Sequence, residues 1–168
     1  MKCLAAIAAL LSAPATAEVV SADAHGFEVR ESVQTSVPPA AAWAAFLRIG
    51  QWWSPDHTYS HNSSNLALDP KPGGCFCERL GEEGGVEHMQ VAAVLPPKRL
   101  VMTGSLGPLL YEAAPGVMDV KFDSSAGGTM VTLDYRASGF VHANADKLAP
   151  AVDQVLAEQL RRYAASIK

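Results

Sequence analysis

The chain ends in one long amphipathic segment. From Leu148 onward, Val152, Val155, Leu156, Leu160, Tyr163 and Ile167 recur at three- and four-residue intervals, with Asp153, Glu158, Arg161 and Arg162 between them. This spacing predicts a helix that starts between Asn144 and Pro150 and runs to about Ser166, apolar on one side and wet on the other. A lone helix of this kind must lay its stripe on something, and the residues before it offer mainly strands.

Residues 25–35 alternate, with Phe27, Val29 and Val33 on one face and Glu28, Arg30, Ser32 and Gln34 on the other. That is the pattern of a half-buried strand. Glu31 falls on the apolar face, where desolvation demands a partner or a raised pKa. Ser36-Val37-Pro38-Pro39 then opens a short helix, with Ser36 or a neighbour as cap, a proline in the first turn, and Trp43, Phe46 and Leu47 as its stripe. Gly50 ends it. Residues 51–65 have no clean period and read as a short helix or turn around Trp52-Trp53 followed by a loop. A short strand at Leu66–Leu68 stops at the Asp69–Gly74 turn. Further strands are expected at Cys75–Leu80, Glu87–Leu95, Arg99–Ser105, Gly116–Ser124 and Thr129–Ser138, close enough in sequence to pair antiparallel. The order implies an α+β fold, a curved antiparallel sheet of about six or seven strands wrapped around the final helix, with a short helical pair after the first strand. A curled sheet leaves room at its mouth for a ligand.

The N-terminus reads as an address. Lys2 precedes a short apolar run from Cys3 to Leu11, Pro14 breaks it, and Ala15-Thr16-Ala17 has the form of a cleavage site. Residues 1–17 are therefore expected to be a signal peptide and 18–168 one domain, periplasmic or secreted. The run is too short for a bilayer of about 30 Å, and no later segment is long and apolar enough to span one. With a net charge of −4 and no Lys/Arg block, nothing supports a nucleic-acid surface. Cys75 and Cys77, the cysteines left after cleavage, would lie roughly 6.5–7 Å apart on a regular strand, at the limit for an unstrained disulfide. Two thiols facing one way are expected, or a bridge where the strand bulges.

Several turns and pairs together resemble a known pattern. Ser36-Val37-Pro38-Pro39 before Trp43, the Trp52-Trp53 pair, Pro72-Gly73-Gly74, Pro96-Pro97-Lys98-Arg99-Leu100 and Gly127-Gly128-Thr129 follow the order of the SRPBCC (START-related, helix-grip) superfamily. The closest branch looks like the bacterial proteins similar to chaperone-ATPase activators and polyketide cyclases, across residues 27–167. The resemblance implies a cavity between sheet and C-terminal helix for a small hydrophobic molecule. It carries over no catalytic motif, and an exported chain would be separated from a chaperone partner.

The candidate ligand-binding residues are Trp43, Phe46, Trp52, Trp53, His57, Tyr59, Met89, Met102, Met118 and Tyr135. Aromatic side chains and adaptable thioethers suit an apolar pocket, and they serve equally as core. For acid–base chemistry the candidates are His88, Glu78 and Tyr135. His88 and Glu78 fall nearly opposite each other across a hairpin, an arrangement that serves a general base or a plain cross-strand ion pair. A metal alternative would gather His57, His61, Cys75 and Cys77, with His88 in reserve, although no paired CxxC or HExxH is present. No dinucleotide fingerprint, phosphate loop or nucleophile elbow occurs, so no cofactor is expected. The leading expectation is a binding protein for a hydrophobic molecule. A cyclase, dehydratase or isomerase and a metal-binding protein are the alternatives.

Overall fold

A computed structural model describes residues 16–142 and 144–167. The signal-peptide reading falls largely on residues 1–15, outside the described residues. Eight strands form one antiparallel sheet: β1 (Thr16–Ala22), β2 (Gly26–Thr35), β3 (Leu66–Leu68), β4 (Cys75–Leu80), β5 (Gly84–Leu95), β6 (Arg99–Gly104), β7 (Gly116–Ser125) and β8 (Gly128–Ser138). Their order across the curved sheet is β1-β2-β8-β7-β6-β5-β4-β3. Among the described residues the α-helices are α1 (Pro39–Phe46) and α2 (Ala145–Ser166). This is the helix-grip α+β architecture, with one strand more than the seven expected at most. The extra strand is β1, an edge strand pairing Val19 with Val29 and Glu18 with Arg30. It straddles the expected cleavage site, where a processing signal hides strand character.

The chain from β3 to β8 runs as a meander, because each connection is short enough to return the next strand alongside the last. The one long excursion is between β2 and β3. It carries the chain from one side of the sheet to the far edge through α1 and three single-turn 3-10 segments. α1 has Pro38 as its N-cap and Pro39 in its first turn, with no side-chain cap, so Ser36 does not cap it. Proline presets the first-turn backbone and lacks the N–H that would need capping. Ala42, Trp43, Ala45 and Phe46 are its buried face.

α2 rests on β2, β1 and α1. Two faces of α2 must be distinguished. Ala145, Ala149, Leu156, Ala157, Leu160 and Tyr163 are buried, whereas Leu148, Val152 and Val155 are only half-buried. The sheet thus covers one part of the apolar stripe and leaves the rest open to the interior mouth. At the closed end, an aromatic cluster locks helix to sheet. Phe46 packs edge-on against Phe122 and Tyr163 at 5.5 and 5.4 Å, and Trp52 meets Tyr163 at 5.4 Å. Tyr163 Oη donates to the Ala42 carbonyl at 2.8 Å, and Trp52 Nε1 donates to the Phe46 carbonyl at 3.0 Å. The polar tips of Tyr163 and Trp52 are therefore satisfied.

Glu31, on the inner face of β2, is 1% exposed beneath α2. Asp153 lies against it, not on the wet face of the helix, because it continues the Ala149–Leu156 side of the stripe. Burial first, and then the hydrogen bond and charge of Asp153, push the Glu31 carboxyl up to about 9, with Arg161 opposing. Glu31 Oε1 and Asp153 Oδ1 are buried with no other partner. The pair is stable only when one carboxyl keeps a proton and donates it to the other. Because the folded-state value lies above the ordinary 4.5, this stabilisation is complete below that value and is lost as pH rises toward 9. Thermal or urea unfolding between pH 5 and 9 should show stability falling by up to ~1 kcal/mol per pH unit. In Glu31→Gln the decline should flatten, leaving the variant more stable than the parent at pH 8; an unchanged slope would refute the assignment.

Candidate ligand site

Between the half-buried side of α2 and the inner faces of β4 and β5 lies a cavity of about 440 Å³. That is within the range of small-molecule sites. Two loops close its sides. The first, residues 52–59, is tied to α2 at its start: the Ser54 amide donates to Gln159 Oε1 at 2.7 Å and Arg162 Nε to the Trp52 carbonyl at 2.9 Å. The second, the irregular segment before β7, is held to the first by Tyr59 Oη donating to the Gly107 carbonyl at 2.9 Å. Trp53, Phe76, Leu106 and Leu109 supply the apolar wall opposite Val152 and Val155. Tyr111, 77% exposed, stands at the mouth.

One wall position contributed by the sheet is polar, and a β-bulge puts it there. Phe76 pairs with Met89 but Cys77 pairs with Glu87, so His88 is the extra residue of β5. Consecutive strand residues normally face opposite ways, yet His88 and Met89 are both buried. A bulge is the device that re-aims a side chain in this manner. The imidazole lies between the Tyr59 ring, stacked at 5.8 Å, and the Phe76 ring at 5.0 Å. Its Nε2 is 3.0 Å from Glu78 Oε2. Glu78, 1% exposed, also accepts from the Tyr59 amide at 3.1 Å and the Ser60 amide at 2.5 Å.

These contacts set the charge states. Burial works to raise the Glu78 carboxyl, but the hydrogen bonds from Ser60, Tyr59 and His88 outweigh it and hold the group below its ordinary value. Burial pushes the His88 imidazole below its ordinary value, and Glu78 only partly restores it. The resting pair is an ionised carboxylate and a neutral imidazole. Since the carboxylate can only accept, Nε2 carries the proton and Nδ1 holds a lone pair.

Of the residues singled out in the sequence, Trp53, His57, Tyr59 and His88 stand on the cavity wall. Trp43, Phe46 and Trp52 sit in the aromatic cluster under α2 instead. Met89, Met102, Met118 and Tyr135 are no more than 1% exposed in the core of the central strands. Burial pushes the Tyr135 phenol up to about 12, so it is neutral. The wall residues not singled out as ligand contacts include Phe76, Leu106 and Leu109, together with the helix residues Leu148, Val152 and Val155. The sequence signals for them were an irregular apolar stretch at 106–110 and a helical stripe wider than one sheet contact requires.

The metal alternative does not assemble. His57 is 3.3 Å from Glu158 of α2, and exposed His61 occupies a left-handed bend with φ of 52°. Cys75 and Cys77 are bridged, on the outer face of β4. Their Cα atoms are 5.3 Å apart, closer than a regular strand holds residues i and i+2. Among the described residues the one convergence of three such ligand types is Cys75, Cys77 and Glu87.

The His88 state is directly measurable. In NMR titration its imidazole should lose its proton below the ordinary histidine value of about 6.5. Glu78→Gln should move that transition further down, since the carboxylate charge that favours imidazolium is gone. An upward movement would contradict the geometry.

Comparison with known proteins agrees with this architecture. The family model described as Activator of Hsp90 ATPase homolog 1-like protein matches residues 36–165. No curated protein matches the sequence. Among solved structures, an uncharacterised protein from Rhizobium leguminosarum is 16% identical, with a TM-score of 0.60 over 91% of this chain and 97% of that one. Protein MLL2253 from Mesorhizobium loti is 17% identical, with a TM-score of 0.58 over 82% and 94%. The di-domain ARO/CYC StfQ from the steffimycin biosynthetic pathway is 13% identical, with a TM-score of 0.57 over 86% of this chain and 51% of that one. Such identities speak to fold alone. The family match covers most of the chain, and it belongs to the Activator of Hsp90 ATPase homolog 1-like family, within the helix-grip SRPBCC superfamily.

Proposed function

We propose that this chain is an exported protein that holds a small, largely apolar molecule between its curved sheet and α2. The observation that carries the reading is the unfilled stripe of the helix. Leu148, Val152 and Val155 present apolar surface to a cavity of about 440 Å³ that no side chain fills. Each 100 Å² of such wall covered by a guest is worth about 2.5 kcal/mol before ordering costs. The export part rests on the leader-like N-terminus read above.

A second reading, proton-transfer chemistry of the cyclase, dehydratase or isomerase kind, has one specific observation in its favour. Buried His88 lies in the cavity wall with Glu78 behind it at 3.0 Å, and its imidazole is neutral and therefore able to accept a proton. In this reading His88 is the base, and Glu78 fixes its tautomer and steadies the imidazolium.

Delipidated protein should take up N-phenyl-1-naphthylamine with a rise in its fluorescence and a saturable isotherm. Val152→Trp, which plugs the cavity from the helix side, should weaken uptake at least tenfold while leaving the circular dichroism spectrum intact. Absence of uptake by the parent protein would remove the binding reading. Export has its own measurement: the mass of protein recovered outside the cytoplasm should correspond to a chain beginning at Glu18, and an intact N-terminus would refute it.

A further inference from the structure

We infer that the guest of this cavity carries a hydrogen-bond donor, an alcohol, phenol or enol O–H, on an otherwise apolar body, and that His88 Nδ1 receives it. The inference rests on the cavity being a ligand site. It follows from counting which polar groups of the wall are already committed. Tyr59 Oη donates to Gly107, Thr58 Oγ1 donates to the Pro55 carbonyl and accepts from the Asn62 amide, and His57 Nε2 faces Glu158. Asp56 and Tyr111 are exposed at the mouth. His88 spends its Nε2 proton on Glu78, and its Nδ1 has no hydrogen-bond partner among the described residues. Nor does Nδ1 belong with the buried polar atoms sealed away without a partner. On a residue that is 5% exposed and lines the cavity, the lone pair is open to whatever occupies it.

Glu78 makes this polarity durable. A neutral imidazole alone can shift its proton between its two nitrogens and so accept either a donor or an acceptor. Here the carboxylate is held by two backbone amides and cannot donate, so the tautomer is locked and Nδ1 is an acceptor only. A guest carbonyl or ether oxygen placed there would meet another lone pair. A purely hydrocarbon guest would strand the nitrogen without a partner, and a site built to hydrogen-bond discriminates against such analogues.

The test uses three bodies of one shape: naphthalene, 2-naphthol and 2-methoxynaphthalene, measured by isothermal titration calorimetry at neutral pH. In the parent protein 2-naphthol should bind about three- to tenfold more tightly than either of the others. In His88→Phe the ratio of 2-naphthol to naphthalene affinity should fall to about one. In Glu78→Gln the side-chain amide accepts or donates, the imidazole is free to present Nδ1–H, and the preference for 2-naphthol over 2-methoxynaphthalene should shrink or reverse. That last readout does not follow from a merely structural role for Glu78. Equal binding of all three bodies by the parent, or an undiminished preference in His88→Phe, overturns this inference and leaves the cavity reading standing. Failure of all three to bind overturns the cavity reading and this inference with it.

Discussion

The structure depends on an inequality between surfaces. α2 carries more apolar stripe than β1, β2 and α1 can cover, and the remainder has to face something other than water. A wider helix contact would have required the sheet to flatten against α2 along its whole length. Instead the sheet curls away toward β4 and β5, and the two loops around Trp53 and Leu109 roof the gap. The closed end of the grip is fastened by the hydrogen bonds of Tyr163 and Trp52 and by Gln159 Oε1 accepting from the Ser54 amide. The open end is held mainly by Tyr59 reaching Gly107. Rigidity on one side and incomplete covering on the other are what convert a core into a container.

Two carboxyls buried in this interior meet opposite fates. Beneath α2 Glu31 is buried against Asp153, and its burial is tolerated because a shared proton removes one charge. At the open end Glu78 keeps its charge, because two backbone amides and His88 replace the water it has lost. One carboxyl is neutralised and the other is solvated by the protein. The backbone donors that make the difference come from the loop that also walls the cavity, so ordering that loop and ionising Glu78 are one event. A change that loosens residues 58–60 therefore reaches His88 twice, through the Glu78 carboxylate and through the stacked Tyr59 ring.

Most of the architecture was legible because it is written in period. The two-residue alternation of β2, β7 and β8 and the three-four spacing of α2 survive any tertiary context that leaves one face buried. β1 was missed because its residues also satisfy the grammar of a processing site. Asp153 was placed on the wet face because charge outweighed position in the reading of the stripe, whereas position decided its neighbours. The site was less legible for a different reason. Trp43, Phe46, Trp52 and the three core methionines have the chemistry of a pocket wall and of a core alike, and only the curvature of the sheet separates the two roles. Trp53 and Trp52 are adjacent in sequence, but one faces the cavity and the other the aromatic cluster.

His88 shows most clearly what alternation cannot foresee. On a regular strand one of His88 and Met89 would face solvent, and the choice would fall on the histidine. The bulge opposite Phe76 allows both to turn inward. Directly across it on the outer face, Cys75 and Cys77 are joined, spanning the residue whose ring packs on the imidazole. Phe76 and Glu78, the inward neighbours of the bridged pair, are the two residues of β4 that hold His88 in place. The irregularity that a sequence pattern treats as noise is thus the feature that turns a buried, directed polar atom toward a mostly apolar cavity, and a directed atom is what separates a site for a particular molecule from a space that any hydrocarbon could fill.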